Sequence, residues 1–432
     1  MAPPFRLPGQ HFAAALGFLA LGAAGLFVAA PAAADGGFAA LPVVGVVHLF
    51  TLGWITTSIM GALYQLLPVA LGAPIRSETL GHAAFWLYVP GVLLLVGGLL
   101  VGRTLASFAG AAALGTGLLV FLVNLAATLP AARKRDFTWW CLAGAGLFLL
   151  TSLVLGVLLA ANLRWGILGG RFLVVGLHMH IAAAGWVLMT MIGVSDRLMP
   201  MFLLSHGAPE LPGRLAAALV AGGVTLLAVI HHMVPLSWLP VAGLLLAAGA
   251  AAFLVQSVLH YRASRKPELD PGMRLVAVSL VLLGAAVAMG PPAMIRGTAD
   301  PRLAAAYTAV LVIGGLGLFV AGHYYRILPF LVWYHRFGPV AAERDVPRVT
   351  ELFEHHLATA ATVLLGLGAA GITAAVWAGA AAAARGGALL FAAGTGVLVL
   401  QMWRVARRRP APVDGGGTEE PAAAGAAAER SP

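Results

Sequence analysis

His178-Met179-His180-Ile181-Ala182-Ala183-Ala184-Gly185-Trp186-Val187-Leu188-Met189-Thr190-Met191-Ile192-Gly193-Val194-Ser195-Asp196-Arg197-Leu198-Met199-Pro200 closes an apolar run that opens near residue 172. At 1.5 Å per helical residue, residues 172–202 are long enough to cross a hydrocarbon core of about 30 Å. The run is too long and too unalternating for a barrel strand, and lipid offers no partner to an open backbone, so it reads as a transmembrane helix. Eleven further runs qualify, near 11–31, 41–70, 81–102, 105–130, 138–161, 215–234, 236–259, 272–293, 303–334, 355–379 and 386–403. Composition agrees. Charged residues are 10% of the 432 and apolar residues 60%, against roughly 25% charged in an ordinary soluble domain. The expected fold is all-α, a polytopic membrane protein of about twelve helices.

The formal charge of +10 does not point to nucleic acid, because the 26 basic residues are scattered singly between apolar runs, without the clustered basic surface that such binding needs. They read as topology signals instead. With the amino terminus inside, the inner flanks collect Arg6, Arg76, Arg133, Lys134, Arg135, Arg214, Arg262, Arg265, Lys266, Arg274, Arg336, Arg344, Arg348 and the basic residues of 404–409. The outer flanks hold Arg103, Arg164, Arg171, Arg296, Arg302 and Arg385. This bias of about three to one predicts an integral inner (plasma) membrane protein with both termini cytoplasmic. The first run reads as a retained helix rather than a signal peptide. Residues 410–432, rich in Pro, Gly, Ala and Glu, read as a disordered cytoplasmic tail behind a 1–409 membrane domain. Cys141 stands alone, so no intramolecular disulfide, Cys-x-x-Cys motif or covalently attached c-type heme is available on this chain.

The opening stretch recurs. Met60-Gly61-Ala62-Leu63-Tyr64-Gln65-Leu66-Leu67-Pro68 ends the second run, and Ala321-Gly322-His323-Tyr324-Tyr325-Arg326-Ile327-Leu328-Pro329 ends the tenth. In all three copies glycine precedes proline by seven residues. His48 stands twenty residues before Pro68 and His180 twenty before Pro200, each followed at the same offset by Gly-Trp, Gly53-Trp54 and Gly185-Trp186. The third copy keeps Gly314 but carries Ala309 where the histidine would fall. A fixed period of about 130 residues predicts three four-helix units in pseudo-threefold arrangement, about 11–135, 136–270 and 271–403. It argues against the two halves of a facilitator-type transporter.

Imidazoles inside a bilayer are rare and usually functional. His48, His178 and His180 lie some two turns below the outer surface, and His231 and His232, near the end of the seventh run, reach a similar depth. Five histidines in one layer is the pattern that heme iron or copper requires. His178 and His180 project about 200° apart on a helix, so they face two different inter-helix spaces. His11, His82, His206, His260, His323, His335, His355 and His356 fall near inner helix ends, where solvated or headgroup-facing roles are expected. Trp54 and Trp186 lie deeper than the interfacial aromatic belt, where helix packing explains them as well as a cofactor does. Arg197 and Arg326 are expected to snorkel to the inner interface. Asp196 is expected to pair with Arg197 or face inner water.

These residues resemble the heme-copper oxidase subunit I superfamily, particularly its C-family oxidase and nitric-oxide reductase branches, over nearly the whole chain to about residue 405. Taken collinearly, the resemblance implies that His48 is a low-spin heme ligand and that His180, His231 and His232 are copper ligands. The chain departs from the family where Tyr307-Thr308-Ala309 replaces a His-x-His, and where Ala184 replaces the active-site tyrosine. An alignment rotated by one repeat instead matches the family's His-x-His-x4-Gly-Trp to His178, His180 and Gly185-Trp186. It implies a heme bridged by His48 and His180, with His178 facing a second space.

The function that the resemblance implies is an oxidoreductase or electron carrier binding b-type heme, with copper as a further candidate, in electron transfer or reaction with dioxygen or nitric oxide. A cytochrome or quinol donor and further membrane subunits are the implied partners. The rivals are a non-respiratory heme and copper protein of nitric-oxide response, and a cofactor-free transporter or scaffold on the same fold. No line of buried acids or lysines leads inward, so proton pumping is not expected.

Overall fold

The computed structural model describes residues 5–230, 233–296 and 299–410. Among these there is no strand, only an isolated bridge between Ile230 and Val234. Twelve helices are long and apolar enough to cross a membrane. They are α1 (Arg6–Ala34), α2 (Leu41–Ala70), α3 (Glu78–Leu100), α4 (Thr104–Ala131), α5 (Phe137–Trp165), α6 (Phe172–Leu203), α7 (Leu211–Val229), α8 (Leu236–Arg262), α9 (Pro271–Arg296), α10 (Pro301–Val340), α11 (His355–Ala378) and α12 (Ala381–Arg407). The protein is therefore an all-α integral membrane protein, as its hydropathy predicts. The tail from residue 411 lies outside the described residues.

Local chemistry sets the helix ends. Ser77, Asp136 and Asp300 cap α3, α5 and α10, their side chains accepting from the backbone N–H groups of Leu80, Trp139 and Leu303, which satisfies donors that the first helical turn leaves open. Gly166 and Gly379 close α5 and α11 in the left-handed conformation. Between neighbouring helices, small residues permit backbone contact, the usual substitute in lipid for a hydrophobic drive. A Cβ at Gly91 of α3 would stand 2.4 Å from the Leu114 nitrogen of α4, and one at Gly368 of α11 would stand 2.5 Å from the Phe391 nitrogen of α12.

Helices α2, α6 and α10 meet one another at the centre. The Trp186 indole of α6 donates to Thr56 Oγ1 of α2 at 3.2 Å. The Trp54 ring of α2 lies against Gly317 of α10, where a Cβ would come within 2.6 Å. Ser58 of α2 and Tyr324 of α10 share a hydrogen bond of 2.6 Å. Both deep tryptophans are thus inter-helix packing residues. Each central helix also contains an eight-residue π-helical segment, Leu49–Thr56, Ile181–Leu188 and Val310–Gly317. Counted from Pro68, Pro200 and Pro329, the three segments occupy one register, beginning nineteen residues before the proline. Such π segments interrupt α-helices frequently at functional sites.

At the carboxyl-terminal ends of α6 and α10, the arginines pair instead of snorkelling freely. Arg197 bonds the Asp136 cap of α5, and Arg326 bonds Asp270 before α9, with Lys266 Nζ 3.5 Å from the same carboxylate. The ion pair of Arg197 within 4 Å is therefore with Asp136 and not with the adjacent Asp196. Helix α7 ends at Val229, where Ile230 turns extended; His231 and His232 lie outside the described residues.

Candidate functional site

The last residue before each π segment is His48, His180 or Ala309, and two residues earlier stand Val46, His178 and Tyr307. In the space between α2 and α6, His48 faces His178. The two ring centroids are 6.4 Å apart and the ring planes differ by 16°. Both rings have their second nitrogen fixed. His48 Nδ1 lies 2.8 Å from the Val44 carbonyl, and His178 Nδ1 lies 3.0 Å from the Ser152 carbonyl of α5. A carbonyl only accepts, so each Nδ1 carries the proton and each Nε2 presents its lone pair. No hydrogen bond engages either Nε2 among the described residues. Gly156, one turn beyond Ser152, gives the His178 ring its place, since a Cβ there would come within 3.0 Å of Cε1.

His180 turns to the other side of α6. Its Nδ1 donates to the Gly176 carbonyl at 2.8 Å, and its Nε2 accepts from the Tyr307 hydroxyl of α10 at 3.2 Å. The rings are 5.9 Å apart at 22°. Met179, between the two histidines, touches α10 through its sulfur, 3.7 Å from Thr308 Oγ1. The 200° projection therefore holds, but the partner of His48 is His178 rather than His180.

The third space, between α10 and α2, carries no imidazole. Ala309 and Val46, which occupy the registers of the two histidines, line a cavity of about 70 Å³ with residues of α1 and α11. The five-histidine layer thus resolves into His48 with His178, His180 with Tyr307, and a pair, His231 and His232, that lies outside the described residues. Among the described residues no three His, Cys, Asp or Glu side chains gather as a metal site.

Three histidines expected at solvated helix ends are buried instead: His11, His260 and His323. His11 and His323 bond the carbonyls of Leu7 and Phe319 on their own helices, while His260 lies between Ser205 and Gln256. His323 lies six residues past the π segment of α10, and His11 packs against the Tyr64 ring of α2.

The described residues test a heme readily. Both rings keep an Nε2 lone pair free beside the same inter-helix space, with centroids 6.4 Å apart, and imidazole nitrogen is a donor that heme iron takes. Both rings remain half-buried in the protein alone, as ligands facing a space between helices would. Copper fits these residues less well, because the Tyr307 hydroxyl occupies the His180 nitrogen that it would need. No family model matches the chain, and no curated protein matches it in sequence.

Proposed function

We propose that the chain is an integral membrane electron-transfer protein holding one b-type heme between His48 and His178, a divergent relative of heme-copper oxidase subunit I. The observation that carries this reading is the 6.4 Å pair of near-parallel imidazoles, each anchored through Nδ1 on a backbone carbonyl. When bound, the heme supplies a one-electron iron couple tuned by its axial ligands and surroundings. His48 and His178 would hold the heme through their Nε2 atoms, and a group held by two protein imidazoles would serve electron transfer. The two carbonyls hold the rings in one tautomer and raise the basicity of Nε2, as second partners do for metal-bound histidine.

Three four-helix units about a pseudo-threefold axis belong to the same proposal, supported by the common register of the π segments and of the facing residues. So do the placement in an inner (plasma) membrane with cytoplasmic termini, which rests on the bias of basic flanks, and a cytochrome or quinol donor with further membrane subunits. A second reading is oxidoreductase chemistry with dioxygen or nitric oxide at copper, the kind expected of a nitric-oxide response protein. It rests on His180 and Tyr307 facing the neighbouring space, and it requires the Tyr307 hydroxyl to leave Nε2 before a copper could bind there.

The test is spectroscopic. Purified protein should show a Soret band with α-region structure after dithionite reduction, and a low-spin ferric signal in electron paramagnetic resonance. His48→Ala should abolish the low-spin signal. A colourless, metal-free preparation rejects the proposal and leaves the cofactor-free transporter or scaffold standing.

A further inference from the structure

The seam between α1 and α12 opens into a groove of about 510 Å³ on the outside of the bundle. Its sides are Ala20 and Ala24 of α1 and Ala392, Gly396 and Leu400 of α12, and it ends at Trp403. Most of these are small residues on a surface that elsewhere carries large ones, such as the exposed Leu147, Val154 and Leu158 of α5. A Cβ built at Gly396 would meet no atom within 4 Å, so no side chain of the protein fills the space there. In a bilayer, what fills it comes from the membrane.

The length of the groove selects its occupant. Trp403 stands eleven residues after Ala392, a rise of about 16 Å along a helix, close to half of a hydrocarbon core of about 30 Å. Ala392 lies near the middle of α12 and Trp403 near its end. Toward the other end of the seam, Arg385 of α12 lies over the Phe27 ring of α1 at 5.7 Å and bridges the two helices. The groove thus runs through one leaflet, from the midplane to the interface. A partner helix needs the full thickness, whereas one acyl chain needs only this half.

At the interface the chemistry turns cationic. The Arg407 guanidinium lies over the Trp403 ring, 4.6 Å from its centroid. Arg408 and Arg409 follow, and Arg336 donates to the carbonyls of Ala406 and Arg408 at the same helix end. Glu354 is the carboxylate paired in this cluster, and it is taken by Arg404 at 3.0 Å. The guanidinium on Trp403 therefore stands at the mouth of the groove without a carboxylate, and phosphate oxygens are acceptors that arginine takes well.

We infer that the groove and the arginines at its mouth seat one anionic phospholipid, its headgroup on Arg407 and one acyl chain between α1 and α12. Basic clusters at the end of a membrane helix attract anionic headgroups in this way. The bias of basic flanks puts that leaflet on the cytoplasmic side, but the seat rests neither on that orientation nor on the heme.

Full-length protein in detergent is titrated with dioleoylphosphatidylglycerol and, separately, with dioleoylphosphatidylcholine, and bound lipids are counted by native mass spectrometry. The first phosphatidylglycerol should bind about tenfold more tightly than phosphatidylcholine, and Arg407→Gln should weaken it about fivefold while leaving phosphatidylcholine unchanged. Gly396→Leu, which fills the groove, should weaken phosphatidylglycerol as much, whereas Gly97→Leu, at an equally open glycine of α3, should not. Ala24→Leu fills the groove from α1 if the first variant folds poorly. Equal affinity for the two lipids overturns the proposal. So does a preference that Arg407→Gln removes but neither groove variant changes, which is attraction of charge alone. A second copy or another subunit that stays bound to the wild type and leaves in Gly396→Leu also overturns it, and makes the groove a seat for a helix.

Discussion

The spaces on the two sides of α2 are built on the same register and hold opposite chemistry. Toward α6, position −20 from the helix-end proline is His48 and meets His178 at position −22 of its neighbour. Toward α10, position −22 is Val46 and meets Ala309 at position −20, around an apolar cavity. The difference shows that the backbone supplies places and the side chains decide what each place is. A π segment follows both registers regardless of whether an imidazole is present, so the π geometry is not made by the ligand.

The largest break in this comparison comes from exchanging which face of α6 bears the imidazole. His178→Ala should remove the low-spin spectrum and lower the heme-to-protein ratio at least tenfold. His180→Ala, two residues away, should leave both within a factor of two. Equal loss in the two variants, measured by pyridine hemochrome and electron paramagnetic resonance, would make the assignment of His178 wrong.

Gly156→Val is the next step down. Its side chain would begin 3.0 Å from His178 Cε1, and overpacking of this kind costs about 1–3 kcal/mol. The ring has to withdraw toward α2 or rotate off the Ser152 carbonyl. Heme should be retained but bound several-fold more weakly, with a shifted reduction potential. An unchanged potential and off-rate would show that α5 does not position the ligand.

Much of this was legible in the sequence, and the limits have physical causes. The twelve spans follow from hydropathy, since lipid enforces continuous apolar helices, and the offsets from Pro68 and Pro200 mark His48 and His180. Helix periodicity tells that His178 and His180 diverge, but not which neighbour each one meets; that depends on the order in which helices surround the centre, a tertiary property. Tyr307 was visible only as a departure from a His-x-His pattern, whereas in the fold it is the hydrogen-bond donor to His180. Gly156 is one of 54 glycines and carries no local signal. The buried positions of His11, His260 and His323 were missed because nearness to a helix end does not determine depth when neighbouring helices extend past it.

Tyr307→Phe separates the middle space from the heme-ligand space more finely. It removes one hydrogen bond of 3.2 Å, worth about 1 kcal/mol, and leaves His180 Nε2 without a partner. Thermal stability should fall by that amount while the low-spin spectrum stays constant. A large spectral change would instead place His180 at the iron and favour the rotated alignment.

The smallest expected effect is also the sharpest on how His178 is held. Two atoms of Ser152 approach its Nδ1, the carbonyl at 3.0 Å and the hydroxyl at 3.4 Å. If the carbonyl is the anchor, Ser152→Ala keeps it, and both the heme content and the reduction potential should match the wild type closely. If the hydroxyl is the anchor, the ring loses its tautomer control and the potential shifts as in Gly156→Val. The nearer, better acceptor predicts the first result: a helix backbone carbonyl is held in place by its own helix, whereas a helical serine hydroxyl can turn back to a carbonyl of its own helix.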